Sequence, residues 1–228
     1  MTNNNLCHLS LILDGNKRWA KKNKLNNING YTKGFENIKN LVNFSLSENI
    51  SYLTIYALSS ENFKRSSIKL IYEIIYKNFD RLIDELARNK GVRIKIFGFR
   101  DNLPSKLINI FDKAENISKD NKSLNLNIAF NYGFKEEIKM ALTKYKKNSL
   151  NYNIENESDI KKLFFLSNSP DPDLLIRTGG HQRLSNFIMY NLTYTELFFT
   201  DTLWPDFNEV ELKTIINKFK LIDRKYGL

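Results

Sequence analysis

HLSLILDGNKRW, residues 8–19, is the stretch whose reading decides the fold. An apolar run of strand length stops abruptly at Asp14-Gly15-Asn16, the pattern of a buried strand that passes into a loop. Working outward, further strands are predicted over Tyr52–Leu58, Val92–Phe97, Leu124–Phe130 and Leu174–Ile176. Between Ile68 and Leu86 the apolar residues fall at Ile68, Ile71, Ile74, Ile75, Phe79, Leu82, Ile83 and Leu86, the rhythm of an amphipathic helix. Other helices are predicted over 34–48, 104–119, 135–146, 158–165 and 208–226; Pro104 suits a first turn, and Ser158-Asp159 suits a helix start. Strands alternating with helices predict an α/β domain with a mostly parallel sheet, whose ligands belong at the carboxyl ends of the strands.

With 228 residues and 42% hydrophobic residues, the chain is expected to form one domain over 1–228. Its longest apolar runs, such as Leu9–Leu13 and Leu197–Phe199, fall far short of the roughly 20 residues a membrane span needs. The polar start, Met1–Asn5, lacks the pattern of a signal peptide, so a cytoplasmic protein is expected. Cys7 is the only cysteine, and His8 and His181 are the only histidines, which excludes an internal disulfide and argues against a Cys/His zinc site. The net charge of +10 allows nucleic acid, an anionic membrane surface or a polyanionic substrate as partner. Lysine, asparagine and isoleucine are used heavily throughout, so scattered solvated charge accounts for the same number. The stretch 144–159, KYKKNSLNYNIENESD, reads as a surface loop.

Three constellations are able to carry chemistry. Asp14-Gly15-Asn16-Lys17-Arg18-Trp19 offers a close backbone turn, amides and a guanidinium for phosphate oxygens. Asp14 beside an anion makes sense with a divalent cation between them, since Mg²⁺ takes one or two carboxylates plus substrate phosphates; an Asx turn closing the strand is the plainer alternative. Ser59-Ser60-Glu61-Asn62-Phe63-Lys64-Arg65 supplies a polar wall after a strand, or simply a capped loop entering a helix. Arg177-Thr-Gly-Gly-His-Gln-Arg183-Leu184-Ser185 is a flexible loop that can wrap an anion with forked donors and a hydroxyl. Glu196 in the run Leu192–Phe199 is either a second carboxylate near a metal or the partner of a buried arginine. No Walker-type loop, GxGxxG or GxSxG elbow occurs, and no DDxxD cluster; Asp171-Pro-Asp173 and Asp80–Asp84 are spaced differently.

Taken together, LSLILDGNKRWAKK, LTIYALSSENFKR, LNLNIAFNYG, DLLIRTGG and RLSNFIMYNLTYTELFFTDTLWPDF resemble, in order and over nearly the whole chain, the cis-prenyltransferase family, most closely its bacterial undecaprenyl diphosphate synthases. The resemblance implies a homodimer built on a central, mostly parallel sheet of about six strands, with an apolar tunnel between sheet and helices. It implies condensation of isopentenyl diphosphate with an allylic diphosphate, commonly farnesyl diphosphate, to a cis-polyprenyl diphosphate such as the undecaprenyl carrier lipid of the cell wall. By the same likeness Asp14 brings Mg²⁺ and assists departure of the allylic diphosphate. Gly15, Asn16, Lys17, Arg18 and Trp19 surround that diphosphate, and Ser59, Ser60, Glu61 and Phe63 form the following substrate loop. Asn62 holds the position proposed to assist proton removal. Arg65, Arg177, Arg183, Leu184 and Ser185 line the diphosphate contacts, and Glu196 matches the second Mg²⁺ ligand.

The departures are specific. Asn27 and Tyr31 stand where the family usually has arginine and histidine, so a diphosphate cation and a proton donor are replaced. Lys69 and Ser66 replace a common glutamate and proline, His181-Gln182 replaces Glu-His, and Lys225 replaces the arginine of an Arg-x-Gly ending, with Arg224 or Lys225 left to serve there. Retention of Asp14, Asn62, Arg177, Arg183, Ser185 and Glu196 together favours an active enzyme over a non-catalytic partner subunit, while a short-chain or branched prenyl synthase stays open as the alternative, because tunnel depth decides chain length and sequence spacing does not measure it. Nucleic-acid binding rests on charge alone and is not expected, whereas the basic surface suits peripheral contact with the inner face of an anionic membrane.

Overall fold

Leu9 and Leu11 of the first strand, β1 (His8–Ile12), are fully buried, and so are His8 and Ser10, whose side chains alternate to the opposite face. A strand covered on both faces belongs in the middle of a parallel sheet. In a computed structural model that describes residues 4–63, 72–73, 75–76, 80–88, 91–101 and 103–225, β1 pairs in parallel with β2 (Tyr52–Ser59) on one side and β5 (Leu174–Arg177) on the other. Adding β3 (Val92–Phe97), β4 (Leu124–Tyr132) and β6 (Glu196–Phe199) gives an all-parallel six-stranded sheet of order β3-β4-β2-β1-β5-β6. After β1 the chain builds outward to β2 and its neighbours, and later returns to β5 on the other flank. The carboxyl ends of β1, β2 and β5 meet at that switch point, where open α/β sheets bind ligands.

The main core carries Leu9, Leu11, Leu53, Ile55, Leu126 and Ile176 from the strands. Against them pack α2 (Asn27–Ser47), α4 (Asp80–Arg88), α5 (Ser105–Ser118) and α8 (Glu209–Lys220), through residues such as Val42, Leu86, Phe111 and Phe219. The opposite face holds a smaller, aromatic cluster of Tyr56, Phe97, Tyr132 and Phe187, joined by Phe134 of α6 (Phe134–Lys147). Burial of this apolar surface, at roughly 25 cal/mol per Å², is the main favourable contribution to folding.

The helix α1 (Asn16–Lys22) and the early start of α2 depart from the sequence reading, which began α2 at residue 34. Asn26 caps α2 by accepting the Asn29 amide, and Gly30 and Gly34 then face α1 with no room for a side chain. A Cβ on either glycine would lie 2.2 Å from an oxygen of Asn16. Glycine lowers helix propensity, so local sequence hides a helix whose glycines serve contact with α1. The helix α7 (Glu157–Lys161) and α8 end earlier than expected, and the run before Phe199 yields the edge strand β6. Residues 64–71, and with them the start of the helix expected from Ile68, lie outside the described residues. Among the described residues no helix is long and apolar enough to cross a membrane.

His8 lies within the sheet's polar face. Pro170 O, which can only accept, is 2.8 Å from its Nδ1, so Nδ1 carries the proton, and Nε2 accepts from Thr54 Oγ1 at 2.7 Å. Burial lowers its pKa from 6.5 to about 4. Between those values the unfolded chain binds a proton that the folded chain excludes, so stability is intact above pH 6.5 and declines as pH falls toward 4. The expected loss attributable to His8 by pH 5 is about 2 kcal/mol. Urea unfolding at pH 7 and pH 5 is expected to show this loss in the native chain and not in His8→Gln; an equal pH response in both would refute it.

Candidate active site

A cleft of about 410 Å³ opens at the carboxyl ends of β1, β2 and β5. Ile12 to Arg18 form one wall, Tyr56 to Ser59 with Glu61 a second, and Arg177, His181, Arg183 and Ser185 the third. Gly15 turns the chain into α1 with φ at +128°, in close contact with the backbone of Leu203, where a Cβ would meet Leu203 Cα at 2.9 Å. This turn fixes Asp14 at the mouth of the cleft. The Asp14 amide donates to Thr178 Oγ1 at 3.0 Å, and the Thr178 hydroxyl donates back to the Asp14 carbonyl at 2.8 Å.

The Asp14 carboxylate is divided between two arginines. Oδ1 accepts from Arg18 Nη2 at 3.1 Å and Oδ2 from Arg177 Nη2 at 2.9 Å. The two cations differ in setting: the Arg177 side chain is 4% exposed and that of Arg18 is 45% exposed. Arg177 also donates through Nη1 to the Arg183 carbonyl and to Ser185 Oγ, the latter at 2.7 Å. A buried guanidinium thus orders both the carboxylate and the loop that follows it. Arg18 is seated over Gly179, whose φ is +85° and whose Cβ, if present, would lie 2.5 Å from Arg18 Nη2.

Behind the cleft, Tyr56 stacks on Phe187 with ring centroids 4.5 Å apart, and its hydroxyl donates to the Tyr132 carbonyl at 2.9 Å. The Tyr132 hydroxyl in turn donates to the buried Glu137 carboxylate, which also accepts the Phe165 amide at 2.7 Å. Burial raises the pKa of Glu137, Tyr132 and Tyr56 above their ordinary values, so both phenols stay protonated and act as hydrogen-bond donors.

The fold therefore brings Asp14, Gly15, Asn16, Lys17, Arg18, Tyr31, Ser59, Glu61, Arg177, Arg183 and Ser185 to one cleft. Ser60 lies just beneath it, Leu184 packs on the aromatic cluster, and Asn62 and Phe63 complete α3 (Ser60–Phe63) directly after β2. Arg65 lies outside the described residues. Trp19 points elsewhere, its indole donating to Asp206 Oδ1 at 2.6 Å. Asn27 borders an adjoining open groove with Lys17 and Arg18. His181 lines the cleft in spite of its altered surroundings. Thr178, Gly179 and Tyr56 belong to the site too; Thr178 and Gly179 were legible in the quoted loop, but Tyr56 reads from sequence only as a strand residue.

Glu196 is placed differently. It opens β6, pairs with Leu174, and so sits three strand positions before the rim marked by Arg177 and Phe199, about 10 Å along the sheet. Within one chain it therefore stands apart from Asp14. Its neighbour is Arg224, 3.9 Å away, which also binds Asp173 Oδ1 at 2.9 Å. Asp173 accepts the Cys7 and His8 amides through its other oxygen, so Arg224 fastens the tail to the amino end of the sheet. Among the described residues no three His, Cys, Asp or Glu side chains cluster as a metal cage.

The arrangement sets arginines, a lysine and hydroxyls around Asp14, with Glu61 on the facing wall, at the switch point of a parallel sheet: an α/β protein whose cleft is suited to phosphate groups. Residues 12–227 match the family model described as putative undecaprenyl diphosphate synthase. The isoprenyl transferase of Aquifex aeolicus is 38% identical over 96% of this chain and 95% of its own. A farnesyl-diphosphate-specific ditrans,polycis-undecaprenyl-diphosphate synthase of Buchnera aphidicola is 38% identical over 98% of this chain and 91% of its own. The crystal structure of lavandulyl diphosphate synthase from Lavandula x intermedia, in complex with dimethylallyl diphosphate, superposes with a TM-score of 0.91 at 31% identity, covering 98% of each chain. The chain belongs to the undecaprenyl diphosphate synthase family of cis-prenyltransferases.

Gly179→Ala tests the seat of Arg18. Strain at this left-handed position, where a Cβ would also lie 2.9 Å from the Asp14 carbonyl oxygen, is expected to lower the melting temperature by several degrees, and displacement of the guanidinium to weaken inorganic pyrophosphate binding about tenfold in calorimetric titration of the folded protein. Unchanged affinity would show that Arg18 is not held by this contact.

Proposed function

We propose that this chain condenses isopentenyl diphosphate with an allylic diphosphate, farnesyl diphosphate being the favoured starter, and repeats the step to give a long cis-polyprenyl diphosphate of the undecaprenyl type. The single observation that carries the reading is Asp14 held between Arg18 and Arg177 at the rim of a cleft to which Lys17, Arg183 and Ser185 add donors. In this reading the allylic diphosphate lies against Gly15–Arg18, and the isopentenyl diphosphate lies against Arg183 and Ser185. The allylic C1–O bond breaks as the isopentenyl double bond forms a new bond to C1. A proton leaves C2 of the added unit, giving a cis double bond, and diphosphate departs with the electron pair. Arg18 and Lys17 stabilise charge on that leaving group, and fixed donors are most effective where charge develops.

Mg²⁺ fits this site as an ion that arrives with phosphate oxygens. Asp14 offers an accessible carboxylate, and a single protein carboxylate suits an ion that takes its remaining ligands from substrate and water. Bound there, it would neutralise diphosphate charge. Purified protein incubated with farnesyl and isopentenyl diphosphates and Mg²⁺ is expected to yield elongated polyprenyl diphosphates; chelator or Asp14→Ala is expected to lower the rate at least a hundredfold. A product of one condensation or a branched product would favour the short-chain alternative, and no product at all would remove the enzymatic reading.

A homodimer is part of the proposal. Among the described residues β6 is the last strand of the sheet; Leu197 within it is exposed, as are Met189 and Tyr194 in the segment that leads to it. An exposed edge with apolar neighbours favours pairing with another chain. Sedimentation equilibrium is expected to give twice the chain mass, and Leu197→Lys to shift it toward the monomer; a native monomer at micromolar concentration would overturn this.

A further inference from the structure

Ser185 and Asn186 occupy consecutive left-handed conformations, with φ of 50° and 64°. Such a pair persists only where its surroundings hold it. Asn186 supplies the hold. Its carbonyl accepts the Phe134 amide at 2.8 Å, its Oδ1 accepts the Lys135 amide at 2.9 Å, and its Nδ2 donates to Glu136 Oε2 at 3.3 Å. These partners are the first three residues of α6, a helix whose own cap position, Gly133, offers no side chain. Nor is there space for one: a Cβ on Gly133 would lie 2.6 Å from Ser60 Oγ and 2.8 Å from Asn186 Nδ2. The first amides of a helix need an acceptor from somewhere, and here it comes from a residue about fifty positions later in sequence.

We infer that Asn186 is a positioning residue: by capping α6 it fixes the Ser185 hydroxyl and the Arg183 carbonyl against Arg177. The chain of contacts runs from the α6 amides through Asn186 to Ser185, from Ser185 to Arg177, and from Arg177 to Asp14. Ser60, pressed against Gly133, places the loop after β2 at the same junction. Without the cap, Arg183 and Ser185 lose their fixed setting while Arg18 and Gly15 keep theirs. The two diphosphate positions of the proposed function, on which this inference rests, should therefore respond unequally.

Asn186→Gly keeps the left-handed backbone and removes only the side-chain bonds, and Asn186→Asp retains an acceptor for the Lys135 amide. For Asn186→Gly, amide hydrogen exchange over residues 183–187 is expected to speed up by about tenfold or more, with the melting temperature changed little. KM for isopentenyl diphosphate is expected to rise about tenfold while KM for farnesyl diphosphate stays near the native value, and Asn186→Asp should recover part of both effects. Native exchange rates in Asn186→Gly, or equal changes in both KM values, would overturn the assignment. If the native protein turned over neither substrate, the prenyl reading alone would fall, because the exchange comparison reads the tether without catalysis.

Discussion

A buried guanidinium sets the terms for this molecule's working end. Arg177 stands at the last position of a central strand, nearly shut off from solvent, and an ion so placed must be paired and hydrogen-bonded. Asp14, just beyond the end of β1, and Ser185 with the Arg183 carbonyl from the loop after β5 provide those partners. One cation thereby joins the ends of β1 and β5 to a loop that would otherwise wander. The site gains its rigidity from the same contacts that satisfy the charge.

Close approach is the second constraint. The α1–α2 pair is brought together by Gly30 and Gly34 against Asn16, and Trp204 lies in the same junction, its indole donating to the Gly34 carbonyl at 2.9 Å. Asn37 also binds the Trp204 and Phe207 carbonyls. This packing sets α1, and hence Lys17 and Arg18, over the cleft. Asn27 and Tyr31 are carried on the first turns of α2, so their different chemistry falls beside the Asp14 half of the site. The segment Gly15–Phe35 holds Lys17, Arg18, Lys21, Lys22, Lys24 and Lys33 with no acidic residue. Much of the positive field is therefore local to the rim where diphosphates approach.

Much of the cleft was legible from residue order. Asp14-Gly15-Asn16 at a strand end and the Arg177–Ser185 loop announced donors and a carboxylate, and both meet at the predicted rim. Other residues escaped because their roles depend on distant partners. Trp19 sits within the first motif yet turns to Asp206, and the register of Glu196 against Leu174 places it, within one chain, at the other end of β6 from the cleft rim. Arg224 is likewise taken by Asp173. Asn186 gives no sign in sequence beyond asparagine's tolerance of the left-handed region.

Alternating strand and helix patterns determined the fold class, and residue type at strand ends determined the chemistry, because both follow from local periodicity and side-chain inventory. Strand order, the commitment of Arg177 to Asp14, the glycine-mediated seating of α1 and the cap that Asn186 lends to α6 were decided only in three dimensions. Each joins residues remote in sequence, and their geometry is set by which surfaces the packed sheet brings within hydrogen-bond reach.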